Sequence, residues 1–68
     1  MNQYQLRLEE IQAHLKQGGY VMTVTYLKAI QYGPKHLDWF SATDNGLYVR
    51  QGKSRVCLNF TNIRFSVL

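Results

Sequence analysis

The residues able to do chemistry in this chain are few and scattered. One cysteine, two histidines and four carboxylates occur among 68 residues. Cys57 lies mid-way along an alternating stretch with no histidine expected beside it, so it reads as a small strand residue. His36 follows Gly33-Pro34-Lys35 in a loop and is expected to face solvent. His14 falls on a helix flank beside an apolar stripe, as a boundary residue. Glu9 and Glu10 are adjacent on that helix and point about 100° apart, which rules out joint acid–base work. Asp38 and Asp44 flank a strand and a turn, where aspartate is common. Cys57, His14 and His36 lack the spacing of a zinc set. Gly18-Gly19 follows a helix, the wrong polarity for holding an anion at a helix N-terminus. With no nucleophile beside a base, no paired carboxylates and no phosphate loop, the expectation is a non-enzyme without cofactor or metal.

A different chemistry is carried by Trp39, Tyr48, Arg50 and Arg55, with Lys53 at an adjacent turn and Arg64 further on. Aromatic and basic residues on one sheet face suit base stacking with phosphate contact, at roughly 1–3 kcal/mol per stacked base. The same residue types suit protein docking, whose anchors favour Trp, Tyr and Arg. Burial of Trp39 and Tyr48 in a curled sheet or between subunits is the third reading. The charge distribution sharpens the first two. The net charge is +4, yet residues 1–44 hold all four acids and four of the bases and sum to zero. The excess comes from Arg50, Lys53, Arg55 and Arg64, a one-sided basic field that suits nucleic acid or an acidic protein surface.

These residues are positioned by two turns. Leu47 to Phe60 reads as a hairpin about Gly52-Lys53, with glycine first where positive φ is needed. Leu47 and Val49 alternate with Tyr48 and Arg50; Val56, Leu58 and Phe60 alternate with Arg55, Cys57 and Asn59. This register sets Val49 against Val56, Leu47 against Leu58, and Arg50 directly opposite Arg55. Facing like charges are mildly unfavourable; either the two long side chains splay into water, as exposed charges commonly do, or the fold keeps the pair for an anionic partner. Leu37 to Thr43 reads as the preceding strand, joined by Asn45-Gly46 in a type I′ turn. That turn sets Ala42 against Val49, Thr43 against Tyr48 and Ser41 against Arg50. Phe40 and Ala42 then face inward, and Trp39 lies outside with Tyr48 and Arg50.

Upstream, Asn2 to Gln17 reads as a helix with Tyr4, Leu8, Ile11 and Leu15 in one apolar stripe. Asn2 and Gln5 resemble a capping box, and Gly18-Gly19 ends the helix. Tyr20 to Tyr32 reads as a strand with Met22, Val24 and Tyr26 inward, Thr23 and Thr25 outward, and a bulge or strand end near Lys28-Ala29-Ile30. Gly33-Pro34 breaks the chain. Asn62 is a turn candidate before a last strand on which Ile63, Phe65 and Val67 alternate with Arg64 and Ser66. Residues 1–68 then make a single α+β domain: an N-terminal helix of about 2–17 packed on a four- to five-stranded antiparallel β-meander of about 20–68. A strongly curled small barrel is the alternative.

A core this small is marginal, and with one cysteine no internal disulfide can help, so a homodimer is a natural aid. No apolar run approaches a membrane span, and the polar start Met-Asn-Gln-Tyr-Gln lacks a signal-peptide core, so a cytoplasmic protein without membrane contact is expected. The Asn59-Phe60-Thr61 glycosylation triplet is then a chance match.

At Tyr32-Gly33-Pro34-Lys35-His36, Gly46-Leu47-Tyr48-Val49-Arg50 and Gly52-Lys53 the chain resembles small phage and prophage proteins of the genre that includes anti-CRISPR inhibitors. The resemblance implies a compact, non-catalytic accessory protein that blocks or redirects a host protein or ribonucleoprotein complex, and it assigns no residue. Many proteins of that genre are acidic mimics of nucleic acid, from which the basic C-terminal third departs. Three readings stand: a phage-derived inhibitor docking through the basic-aromatic face, a small nucleic-acid-binding β-domain, and a structural homo-oligomer.

Overall fold

The computed structural model describes residues 2–25 and 28–66. Helix α1 (Gln3–Lys16) leads into β1 (Tyr20–Thr25) and β2 (Lys28–Tyr32). A 3-10 helix over Pro34–Trp39 precedes β3 (Phe40–Thr43), β4 (Gly46–Gln51) and β5 (Ser54–Leu58). A short 3-10 turn over Phe60–Asn62 then delivers β6 (Ile63–Ser66). The fold is α+β, with the helix packed on six antiparallel strands in two three-stranded sheets, ordered β2-β1-β6 and β3-β4-β5. Meander order therefore holds only within the second sheet. At Asn59 the chain turns, the Asn62 N–H donating to Asn59 O at 2.9 Å. β6 is thereby sent to pair with β1, Tyr20 facing Ser66 and Thr23 facing Ile63, instead of extending β5. The same turn takes Phe60 off the strand and leaves it 37% exposed.

The helix ends are fixed locally. Asn2 Oδ1 accepts the Gln5 N–H at 2.9 Å, satisfying a backbone donor that the helix cannot. At the other end the Gly18 N–H donates to Leu15 O and the Gly19 N–H to His14 O, both at 3.0 Å, with Gly18 at φ +87°. This is the paired closure that needs a left-handed residue after the C-cap. The expected stripe faces inward: Ile11 and Leu15 are fully buried, and Tyr4 and Leu8 pack against the core. Val21, Tyr32, Phe40, Leu47, Val49, Leu58 and Ile63 supply the remainder.

Tyr20–Tyr32 is a hairpin of two strands, Thr25 facing Lys28 and Val21 facing Tyr32. Residues 26 and 27, which join the strands, lie outside the described residues, and so does the expected inward position of Tyr26. The β1 faces are reversed from expectation. Val21 and Thr23 are buried, Met22 is half-buried and Val24 is 39% exposed. Apolar residues at 21, 22 and 24 make either phase workable, so burial against the helix and β6 decides.

Strand β3 is also shorter than expected. Pro34 opens the 3-10 segment at its first position, where no N–H is needed, and the segment kinks at His36 (φ −100°, ψ 16°) before its second turn reaches Trp39. The β3–β4 register sets Phe40 against Val49, Ser41 against Tyr48 and Ala42 against Leu47. The expected Asn45-Gly46 loop is thus an Asp44-Asn45 loop, with positive φ at neither residue nor at Gly46, so a type I′ turn is excluded. The Asn45 N–H instead donates to Thr43 Oγ1 at 3.1 Å. The last strand ends at Ser66, and Val67 lies outside the described residues.

Candidate functional site

The Gly52-Lys53 hairpin has the expected register: Val49 faces Val56, Leu47 faces Leu58, and Arg50 faces Arg55. Gly52 alone takes positive φ, +60°, the pattern of a turn with glycine at its first central position. With inward Val49 and Leu47 fixed, Tyr48 and Arg50 emerge on the outer face of the second sheet beside Arg55 and the exposed Cys57. Tyr48 is half-buried and lies close over Gly46; a Cβ there would sit 3.1 Å from the Tyr48 hydroxyl. Gly46 is therefore small to admit the ring, with backbone any residue could adopt.

Trp39 reaches this face from the end of the 3-10 helix, half-buried, not from a strand as expected. The Arg50 guanidinium carbon stands 5.8 Å from its ring centroid, within the range of cation–π attraction. On its other sides the indole meets His36 at 4.7 Å and Tyr32 at 6.2 Å, both edge-on. His36 corrects the expectation of a solvent-facing loop residue. It is half-buried, its Nδ1 accepts the Gly33 N–H at 3.1 Å, and its own N–H donates to Gly33 O at 2.9 Å. The i, i+3 spacing of His36 and Trp39 is the signal that places their rings together on a helical turn, and reading residues 37–43 as extended hides it.

Trp39, Arg50, Lys53 and Arg55 line one shallow groove of about 510 Å³ together with Asp38 and Ser41. Arg50 Nε donates to Gly52 O at 3.3 Å, holding the guanidinium near the turn. Among the described residues no ion pair reaches Arg50, Lys53 or Arg55. Ser41 Oγ is buried at the same groove without a protein partner. Tyr48 and Arg55 line an adjoining depression with Thr43 and Asn45. The structure thus gathers five of the six expected site residues along connected surface. Arg64 stands apart on β6 of the other sheet, where its Nη1 donates to Thr61 O at 2.6 Å and Ile63 O at 3.3 Å.

His14 has a structural occupation: its Nε2 lies 2.7 Å from Ser66 O, its ring tilts on Phe65 at 4.9 Å, and it covers Gly19 so closely that a Cβ there would collide with it. Among the described residues no group of three or more His, Cys, Asp or Glu could hold a metal ion. No helix among them is long and apolar enough to cross a membrane. No known family model matches the chain, and no curated protein and no solved structure matches it.

Proposed function

We propose that the chain is a non-enzymatic binding protein of the cytoplasm that docks an anionic surface of a host protein or ribonucleoprotein complex on the outer face of its second sheet. In this reading it is an inhibitor of the small phage-protein genre. The observation that carries the reading is the pairing of Arg50 with Arg55 across β4 and β5. Two arginines directly opposite in the ladder, with Lys53 at the turn and no ion pair reaching them among the described residues, are mildly unfavourable to the isolated fold. An anionic partner reverses that cost on binding. Trp39 and Tyr48 supply the rigid apolar area that turns electrostatic attraction into a seated contact.

The test is affinity capture from lysate with the wild-type chain and with an Arg50→Ser/Arg55→Ser variant of matched circular dichroism. Proteins retained by the wild type and released by the variant are the expected result. Identical retained sets would sink the reading.

A further inference from the structure

The groove at Arg50 and Arg55 does not stand alone. It shares Trp39, Arg50 and Gly52 with a second depression of about 450 Å³ that extends past Tyr32 and His36. That one shares Gln31 and His36 with a third, of about 640 Å³, walled by Tyr20, Pro34 and Lys35. At the opposite end Arg55 joins the first groove to the depression under Tyr48, of about 420 Å³. The result is a row of adjoining depressions, a track from the Gly33-Pro34 loop to the Thr43–Asn45 turn in which each shares a wall with the next. Each depression along it is walled by at least one aromatic ring and one cation: Tyr20 with Lys35, His36 and Trp39 with Arg50, Trp39 with Arg50 and Arg55, Tyr48 with Arg55. Among the described residues Asp38 is the single carboxylate on its walls.

From this continuity we infer that the anionic surface taken by the docking face is a single strand of nucleic acid, about four nucleotides long, at the low end of sites on small β-folds. The inference rests on the docking reading above and names its partner chemistry. A strand alternates a flat base with a charged phosphate, and the track repeats a ring with a cation. An acidic peptide offers charges without flat faces and would leave Tyr20, Trp39 and Tyr48 without a role. A duplex hides its bases and calls for an inserted helix or ribbon, which this concave track does not offer. Lys35 becomes a binding residue although it lies outside the second sheet.

The test uses the whole chain and fluorescein-labelled oligo(dT) and oligo(rU) of eight nucleotides, a blunt duplex, and polyglutamate of matched charge, each read by anisotropy. Contacts to four phosphates give a slope of log affinity on log salt near −3, at about 0.7 per phosphate, or roughly 50-fold weakening from 50 to 200 mM salt. Trp39 emission is quenched over the same concentration range. Lys35→Ser weakens single-strand binding at least threefold, whereas Arg64→Ser, a basic residue off the track, changes it less than twofold. Equal affinity for polyglutamate or for the duplex overturns the inference, and so do equal effects of the two substitutions. Absence of oligonucleotide binding at 50 mM salt, with Arg50- and Arg55-dependent capture surviving nuclease, overturns it and leaves the docking reading intact; loss of that capture difference removes the docking reading itself.

Discussion

The guanidinium of Arg50 stands 5.8 Å from the centre of the Trp39 ring, although the two residues belong to different elements, a strand and the end of a 3-10 helix. The contact joins the loop before β3 to the outer face of the second sheet. Trp39→Ala removes the cation's platform and the edge contacts with Tyr32 and His36, and for a half-buried indole should cost about 2 kcal/mol in urea unfolding. Trp39→Phe should recover more than half of that. An Arg50→Gln substitution should leave stability within about 0.5 kcal/mol while altering the near-ultraviolet dichroism of the indole.

Arg55 faces Arg50 across the ladder. Arg55→Thr removes the repulsion and adds a residue that suits strands, so stability at low salt should rise by a few tenths of a kcal/mol, roughly. The wild-type chain should gain stability as salt is added, and the variant should gain less. A variant both more stable and weaker in capture would separate the requirement of the face from the requirement of the fold.

Thr23 is 1% exposed in the central strand of the first sheet, and its hydroxyl has no protein partner. An unpaired buried hydroxyl costs about 1–3 kcal/mol. Thr23→Val should therefore stabilise by about 1 kcal/mol, a rise of roughly 4–8 °C in Tm for a domain of this size. Thermal unfolding followed by circular dichroism checks it.

Gly52 and Gly46 are glycines for different reasons, and substitution should tell them apart. Gly52 has φ +60° with nothing within 4 Å of an added Cβ, so Gly52→Ala is penalised by backbone strain, about 1–2 kcal/mol, and Gly52→Asn much less. Gly46→Ala meets the Tyr48 hydroxyl and ring instead. Pairing it with Tyr48→Ala should relieve the cost, which no second substitution of that kind does for Gly52. A double-mutant cycle measures the difference.

Asn2 caps α1 through Oδ1 and donates through Nδ2 to Asp44 Oδ1 at 2.9 Å, tying the helix start to the β3–β4 turn. Asn2→Ala should lose about 1 kcal/mol. Asn2→Ser keeps a capping oxygen and lacks the amide, so the gap between Ser and Asn should shrink in an Asp44→Ala background, where only the 3.5 Å bond from Nδ2 to Thr43 O is left.

How far the fold was legible follows from what each segment writes into its own residues. The β4–β5 hairpin was readable because Gly52, the alternation on both arms and the apolar cross-strand pairs all favour one register. The β3–β4 register was read two residues off, since Asn45-Gly46 advertises a turn whose backbone the chain does not adopt. The inward set of Phe40, Ala42 and Val49 survived because an even shift preserves the faces. The β1–β2 hairpin was missed: residues 26 and 27 are Tyr and Leu, which carry no turn chemistry. The meeting of Trp39 with His36 has a local signal, their i, i+3 spacing, which an extended reading of residues 37–43 conceals; the reach of the track to Lys35 depends on tertiary packing of the 3-10 segment and has no such signal.

The pairing of β1 with β6 sets a timetable for the newborn chain. At about 5–20 residues per second, synthesis reaches residues 63–66 seconds after β1 has been made. The second sheet, built from consecutive hairpins, can form within microseconds of leaving the ribosome. Through that interval β1 holds one open edge, available to any passing strand. The window for misassembly therefore belongs to the first sheet, and it closes only when β6 arrives.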